Sequence, residues 1–133
     1  MIAYQTRTGQ NQFVLDSSGK GLSNPGDLKE YGQLFSTDDI FQGALGDCFM
    51  IATLLSITKN KEACIRIMPP DNALKENMKI GAYHFRLWKV GSWYDVVVDD
   101  LLIVDGQFNP MLCKNMSQRN EFWICLLEKA VAK

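Results

Sequence analysis

Two residue types six positions apart carry the first chemical signal in this chain: Gln42 and Cys48, at the ends of Gln42-Gly43-Ala44-Leu45-Gly46-Asp47-Cys48. Cys48 opens the apolar run Phe49-Met50-Ile51-Ala52-Thr53-Leu54-Leu55, which reads as a helix. A cysteine there sits among unpaired N–H groups at the positive end of the helix dipole, where a thiolate is stabilised. Gln42 can fold back across Gly43 and Gly46 and aim its amide at a developing oxyanion. A donor in that role stabilises a tetrahedral transition state by ~3 kcal/mol. Asp47 is better suited to capping the helix than to activating the thiol, because an adjacent carboxylate opposes thiol ionisation. Plainer readings stand beside these: a small hydrophobe capping a core helix for Cys48, and a surface loop glutamine for Gln42.

The elements that would position this pair are legible in outline. The helix beginning at Cys48 runs to about Lys59 and is apolar on most of its surface, which predicts a central, buried helix. Thr58-Lys59-Asn60-Lys61 breaks the pattern, Glu62 to Met68 can form a short second helix, and Pro69-Pro70 stops it. Residues 73–81 suit an exposed loop or a turn of helix. Tyr83, Phe85 and Leu87 alternate with His84, Arg86 and Trp88, the period of a half-buried strand. Trp93-Tyr94-Asp95-Val96-Val97-Val98 has the content of its partner, across a turn at Lys89-Val90-Gly91-Ser92. Asp105-Gly106-Gln107 marks another turn. From about Arg119 to Lys133, Phe122, Trp123, Leu126, Leu127 and Ala130 form one apolar helical face. Residues 1–26, rich in Gly, Ser and Pro, read as an irregular lead segment with one short strand at Gln12-Phe13-Val14-Leu15. Residues 27–133 read as one folded unit. The fold class is α+β, a helical core with a small antiparallel sheet.

Bulk properties exclude several function classes. The 133 residues suit one domain, 47% hydrophobic and 22% charged. A net charge of −1 gives no bulk attraction to nucleic acid or an anionic membrane. No apolar run approaches a membrane span, and the first residues lack the blocks of a signal peptide, so a cytoplasmic location is expected. Cys48, Cys64, Cys113 and Cys125 contain no Cys-x-x-Cys pair, so zinc and a disulfide framework are poorly supported. Cys64, Cys113 and Cys125 read as buried or incidental thiols, with Cys125 the clearest core candidate.

The seven-residue stretch ending at Cys48 resembles the nucleophile motif of the calpains, calcium-dependent cysteine proteases of the papain-like superfamily. Residues 83–100, from Tyr83 to Asp100, are similar to that family's strand pair. Residues 120–133, from Asn120 to Lys133, are similar to the helix closing the first half of its protease core. The resemblance implies the helical, nucleophile-bearing half of a papain-like fold, with Cys48 as nucleophile and Gln42 as oxyanion-hole donor. It departs from the family in one place: Phe49 follows the cysteine where tryptophan is usual.

The chain holds a single histidine, His84, 36 residues after Cys48 on a predicted strand. In papain-like enzymes the catalytic His and Asn follow about 130–150 residues downstream, and by resemblance His84 matches a strand histidine without a catalytic role. The resemblance therefore implies that a second subdomain supplies His and Asn, that protein substrates are cleaved, and that this half is inactive alone. It further implies a calcium ion held by the side chains of Asp39 and Glu121 and the main-chain carbonyls of Gly32 and Leu34, hard oxygen donors of the kind calcium takes. Spacing alone would leave Asp38, Asp39 and Glu121 as solvated acids. Asp95, Asp99 and Asp100 read as charges solvating the ends of a strand. A different class of function stays open: a non-catalytic, calcium-responsive binding or regulatory module with the same fold.

Overall fold

The apolar run after Cys48 folds as helix α1 (Cys48–Thr58), within a residue of the predicted ends. The structure, a computed structural model, describes residues 2–5, 31, 32, 34, 35, 40, 41, 43, 46, 48–73, 79–107, 109, 111–113 and 121–133. Met50, Leu54 and Thr58, spaced by four, form the buried stripe of α1. Cys48, Phe49, Ala52, Thr53 and Ser56 are exposed, so the helix is buried on one side and not all round. The exposed hydroxyls need no packed neighbour, because Thr53 Oγ1 donates to Phe49 O at 3.0 Å and Ser56 Oγ to Ala52 O at 3.1 Å.

Helix α2 (Lys61–Ile67) starts where Asn60 caps it, its Oδ1 accepting from Ala63 N at 3.1 Å. A 3-10 turn at Pro70–Ala73 follows, where proline cannot continue the α-helical ladder. Its Asn72 is buried and reaches strand β2: Asn72 Nδ2 donates to His84 O at 2.6 Å, and His84 N donates to Asn72 Oδ1 at 3.0 Å.

Strands β2 (Ala82–Lys89) and β3 (Ser92–Asp99) pair antiparallel from Ala82↔Asp99 to Lys89↔Ser92. The predicted hairpin turn is present, with positive φ at Val90 (49°) and Gly91 (81°). Positive φ at both central residues is the signature of a type I′ turn, whose twist matches the flanking strands. Asn72 thus covers one hairpin edge near its root. On the other edge Lys133 Nζ donates to Val97 O at 2.6 Å and Lys129 Nζ to Asp99 O at 3.4 Å; Lys129 Nζ also reaches Leu101 O, just past the hairpin, at 2.6 Å. Lys129 also pairs with the carboxylate of Asp99, whose acidity rises chiefly through that hydrogen bond. Covered edges limit pairing with stray strands.

Strand β4 (Leu101–Val104) pairs antiparallel with β1 (Ile2–Gln5), in the register Ile2↔Val104 to Gln5↔Leu101. The lead segment, expected to be irregular, therefore contributes a strand whose hydrogen bonds come from a partner about a hundred residues away. The strand expected at Gln12-Phe13-Val14-Leu15 lies outside the described residues. Asp105 organises the turn after β4: its Oδ1 accepts from Gln107 N at 2.8 Å and Asn109 N at 2.9 Å.

Helix α3 (Trp123–Ala132) provides much of the core. Trp123, Ile124, Cys125, Leu126, Leu127 and Ala130 are buried with Tyr83, Phe85 and Val98 of the hairpin. The sequence predicts one apolar face, whereas the first two turns are buried all round, Glu128 included. The result is an α+β fold, the class expected of a papain-like half.

Candidate active site

Cys48 is the first residue of α1 and is exposed; Cys64, Cys113 and Cys125 are buried. The three buried thiols are engaged in the core. Cys64 Sγ donates to Ile57 O at 3.3 Å, and Cys125 Sγ donates to Cys113 O. Burial pushes the Cys64 thiol up to about 11. The thiol at the start of α1 is thus the one presented to solvent at a helix N-terminus, where first-turn N–H groups favour an anion.

One position ahead of it is fixed by sterics. A Cβ placed on Gly43 would overlap the main-chain carbonyls of Met111 and Leu112, so at this position the chain tolerates only glycine. Gly46 has nothing near its missing Cβ. The two glycines that read equally as flexible joints therefore differ: Gly43 is a close-approach residue, and Gly46 is open. Phe49, in place of the family's usual tryptophan, is 72% exposed. Its ring is largely open to solvent. Gln42 and Asp47 lie outside the described residues.

His84 is committed elsewhere. Its main chain is held by Asn72, and its Nδ1 lies 3.6 Å from Asp71 Oδ2. The sequence-based assignment of His84 to a structural strand position agrees with this setting. Asn72 and Glu128 were missed from sequence. Glu128 is 2% exposed and its carboxylate accepts from Cys113 N, tying α3 to the segment that abuts Gly43. A glutamate inside an otherwise apolar helical stripe was the available signal.

Of the implied calcium donors, Gly32, Leu34 and Glu121 are described, and Asp39 and Asp38 are not. Leu34 N donates to Tyr31 O at 3.1 Å, closing a tight turn. Gly32 packs on α2, where a Cβ would come within 3.0 Å of Lys61 O and Ile65 Cδ1. Phe35 meets Tyr31 edge-on at 5.0 Å and Trp123 at 4.9 Å between ring centroids. That aromatic relay ties the turn bearing Gly32 and Leu34 to the start of α3, two residues from Glu121. Glu121 itself is 4% exposed. Among the described residues no three His, Cys, Asp or Glu side chains gather to hold a metal. The donors that the resemblance implies, main-chain carbonyl and carboxylate oxygens, are of the kind calcium takes.

A helix-start thiol on the helical half of an α+β fold is the layout of a papain-like thiol protease half. The family model for calpain family cysteine protease matches residues 23–133. The Calpain-2 catalytic subunit of Mus musculus is 47% identical over 96 residues, which is 71% of this chain and 13% of that protein. The Calpain-1 catalytic subunit of Homo sapiens is 47% identical over 96 residues, again 71% of this chain and 13% of that protein. Calpain-B of Drosophila melanogaster is 39% identical over 114 residues, 82% of this chain and 12% of that protein. This chain belongs to the calpain family of cysteine proteases. It spans 12–13% of the length of these relatives.

Proposed function

We propose that this chain is the nucleophile-bearing half of a calcium-dependent cysteine endopeptidase, acting on protein substrates and completed by a second subdomain that supplies histidine and asparagine. The observation carrying this reading is the exposed Cys48 thiol at the first residue of α1, reached through a glycine that only a close-packed loop requires. Cys48 Sγ attacks the scissile carbonyl carbon, the amine leaves, and the acyl group stays on sulfur until water releases it. Gln42 and the Cys48 N–H donate to the oxyanion. Both proton transfers need a base, and His84 is held on β2 beside Asp71 and Asn72. The second subdomain is its proposed source.

Calcium, when bound, supplies a cation that ties loop oxygens to Glu121. Gly32, Leu34, Asp39 and Glu121 would hold it, and the Phe35–Trp123 contact already sets the turn against α3. Residues 27–133 are the proposed extent of the subdomain, with 1–26 as its lead. A reducing cytoplasm is the proposed location, supported by four free cysteines. No helix among the described residues is long and apolar enough to cross a membrane.

The test is hydrolysis of a fluorogenic peptide by the 133-residue chain, with and without calcium. No turnover is expected in either condition. Turnover that Cys48→Ala abolishes would show that this half carries its own base, against the proposal. Calcium binding is read separately, by calorimetry on the chain and on Glu121→Gln, where the variant is expected to bind at least about tenfold more weakly.

The buried groups give an alkaline prediction as well. In the unfolded chain the Cys64 thiol titrates near 8.5, and in the folded state burial holds it at about 11. Below the unfolded value both states keep the proton. Above it the unfolded chain releases the proton first, so stability falls as pH rises through this window. Tyr31, raised well above 10.0 by burial and then by Asp71, adds a decline in the same direction at higher pH. Urea midpoints measured from about pH 8 to 11 are expected to fall, less steeply in Cys64→Ala.

A further inference from the structure

Strand β4 has two edges, and different parts of the chain hold them. On one, Ile103 O accepts from Met111 N, and Asp105 N just beyond the strand donates to Asn109 O, both at 3.0 Å. Successive residues of a strand direct their N–H and C=O to opposite edges, so Leu102 and Val104 turn theirs the other way. There they meet β1, in the pairs Tyr4↔Leu102 and Ile2↔Val104. Side chains alternate as well: Leu102 and Val104 are buried, and Leu101 and Ile103 are exposed. The core and Met111 thus anchor β4, and β1 is laid along the edge that remains.

Three features mark β1 as a separable piece on a permanent edge. It is four residues long, so only two pairs exchange hydrogen bonds with β4. Residues 6–30 intervene before the next described residue, Tyr31. It also lies outside residues 23–133, the stretch that matches the calpain family, whereas β4 lies inside it. The edge beneath it is receptive. Leu101–Val104 carries neither the charge nor the proline that discourages strand addition, whereas lysines reach the edge of β3.

We propose that this edge of β4 is a strand-docking site and that β1 is its detachable occupant. The edge takes an extended segment with the sequence Ile2-Ala3-Tyr4-Gln5, held through main-chain hydrogen bonds in the manner of strand addition. When β1 lifts away, the same segment of a second copy of this chain takes its place. The docking uses main-chain pairing, so it is independent of the chemistry proposed for Cys48.

Native-state hydrogen exchange on the full chain reads the detachment and needs no variant. The Leu102 and Val104 amides are expected to exchange through local opening, at least about tenfold faster than those of Leu126 and Leu127 in α3. Docking in trans is read with a synthetic peptide of residues 1–8, titrated into the full-length Tyr4→Pro chain, in which proline removes the Tyr4 N–H from the ladder. The peptide is expected to restore protection of Leu102 and Val104 in that variant. It is expected to bind the parent at least about tenfold more weakly, because the tethered strand outcompetes it. Protected Leu126 and Leu127 amides show that the variant's core is folded.

Register supplies the control. A peptide N-methylated at Tyr4 loses the donor aimed at Leu102 and is expected to bind at least about tenfold more weakly. One N-methylated at Ala3, whose N–H faces away from β4, is expected to bind within about threefold of the unmodified peptide. Four results each overturn the proposal: exchange of Leu102 and Val104 at the rate of the α3 amides, no binding by a folded Tyr4→Pro chain, equal binding by the parent, or equal loss from the two N-methyl peptides. Self-association of Tyr4→Pro through β4 that excess peptide leaves intact does so too, since the edge would then prefer a second β4.

Discussion

Trp123→Ala is expected to lower the stability of the chain by about 3–5 kcal/mol, the range for a fully buried aromatic cut back to a methyl group. Trp123 is 0% exposed and meets Phe35 edge-on. Its loss opens a cavity at the start of α3, where every residue through Glu128 is buried. It also releases the turn bearing Gly32 and Leu34 from the residues flanking Glu121. The thermal midpoint should fall by roughly 10–20 °C. A second readout separates packing from the proposed cation site. Where enough folded protein remains at low temperature, calcium affinity should weaken along with stability. Trp123→Phe, which keeps an aromatic contact with Phe35, should recover most of both. A Trp123→Ala chain melting within a few degrees of the parent would show that the aromatic relay does not hold these two segments together.

Gly43→Ala is the second large effect. The added Cβ would land on the Met111 and Leu112 carbonyls, which are main chain and cannot rotate away. Overpacking of this kind costs typically about 1–3 kcal/mol. In the proposed mechanism the oxyanion donor is Gln42, the residue before Gly43 in the chain, so in a complete protease this variant is also expected to lower kcat. Losing one such donor costs about 10²–10³ in kcat. Gly46→Ala, with open space around it, should leave melting within about 0.5 kcal/mol of the parent. Thermal denaturation of the two variants side by side checks the contrast. Equal behaviour would mean that the approach of Gly43 to residues 111–112 is not part of the folded state.

Much of this layout was legible in the sequence because it is local. Cys48 marks the start of an apolar run, and α1 begins there. Alternation in residues 83–98 and a glycine at position 91 define the hairpin, and the turn falls where they meet. What the sequence hid is non-local. β1 is a strand because Leu101–Val104 lies beside it, and four residues near the N-terminus carry no signal of that partner. Asn72 looks like part of a loop after two prolines, yet its amide closes the edge of β2 at His84. The apolar composition of α1 suggested burial all round, whereas Thr53 and Ser56 mark the side that faces solvent.

The site shows the same division. Cys48 and its position on a helix are local features, and the structure presents that thiol as expected. The difference between Gly43 and Gly46 depends on residues 111–112, some seventy positions away, and nothing in the Gln-to-Cys spacing encodes it. The proposed calcium donors are a stronger case. Gly32 and Leu34 would act through main-chain oxygens, which leave no side-chain signature, and Glu121 is buried, as are Asp100 and Glu128, so burial does not single it out either.

Site-resolved alkylation tests the central claim, that Cys48 is the presented nucleophile, most directly. The folded chain is treated briefly with iodoacetamide near neutral pH and each cysteine is quantified by peptide mass mapping. Cys48 is expected to react first and at least about tenfold faster than Cys64, Cys113 or Cys125, which the fold buries. Modification of any of those three at the same rate as Cys48, or a Cys48 that stays unmodified while they react, would contradict the account.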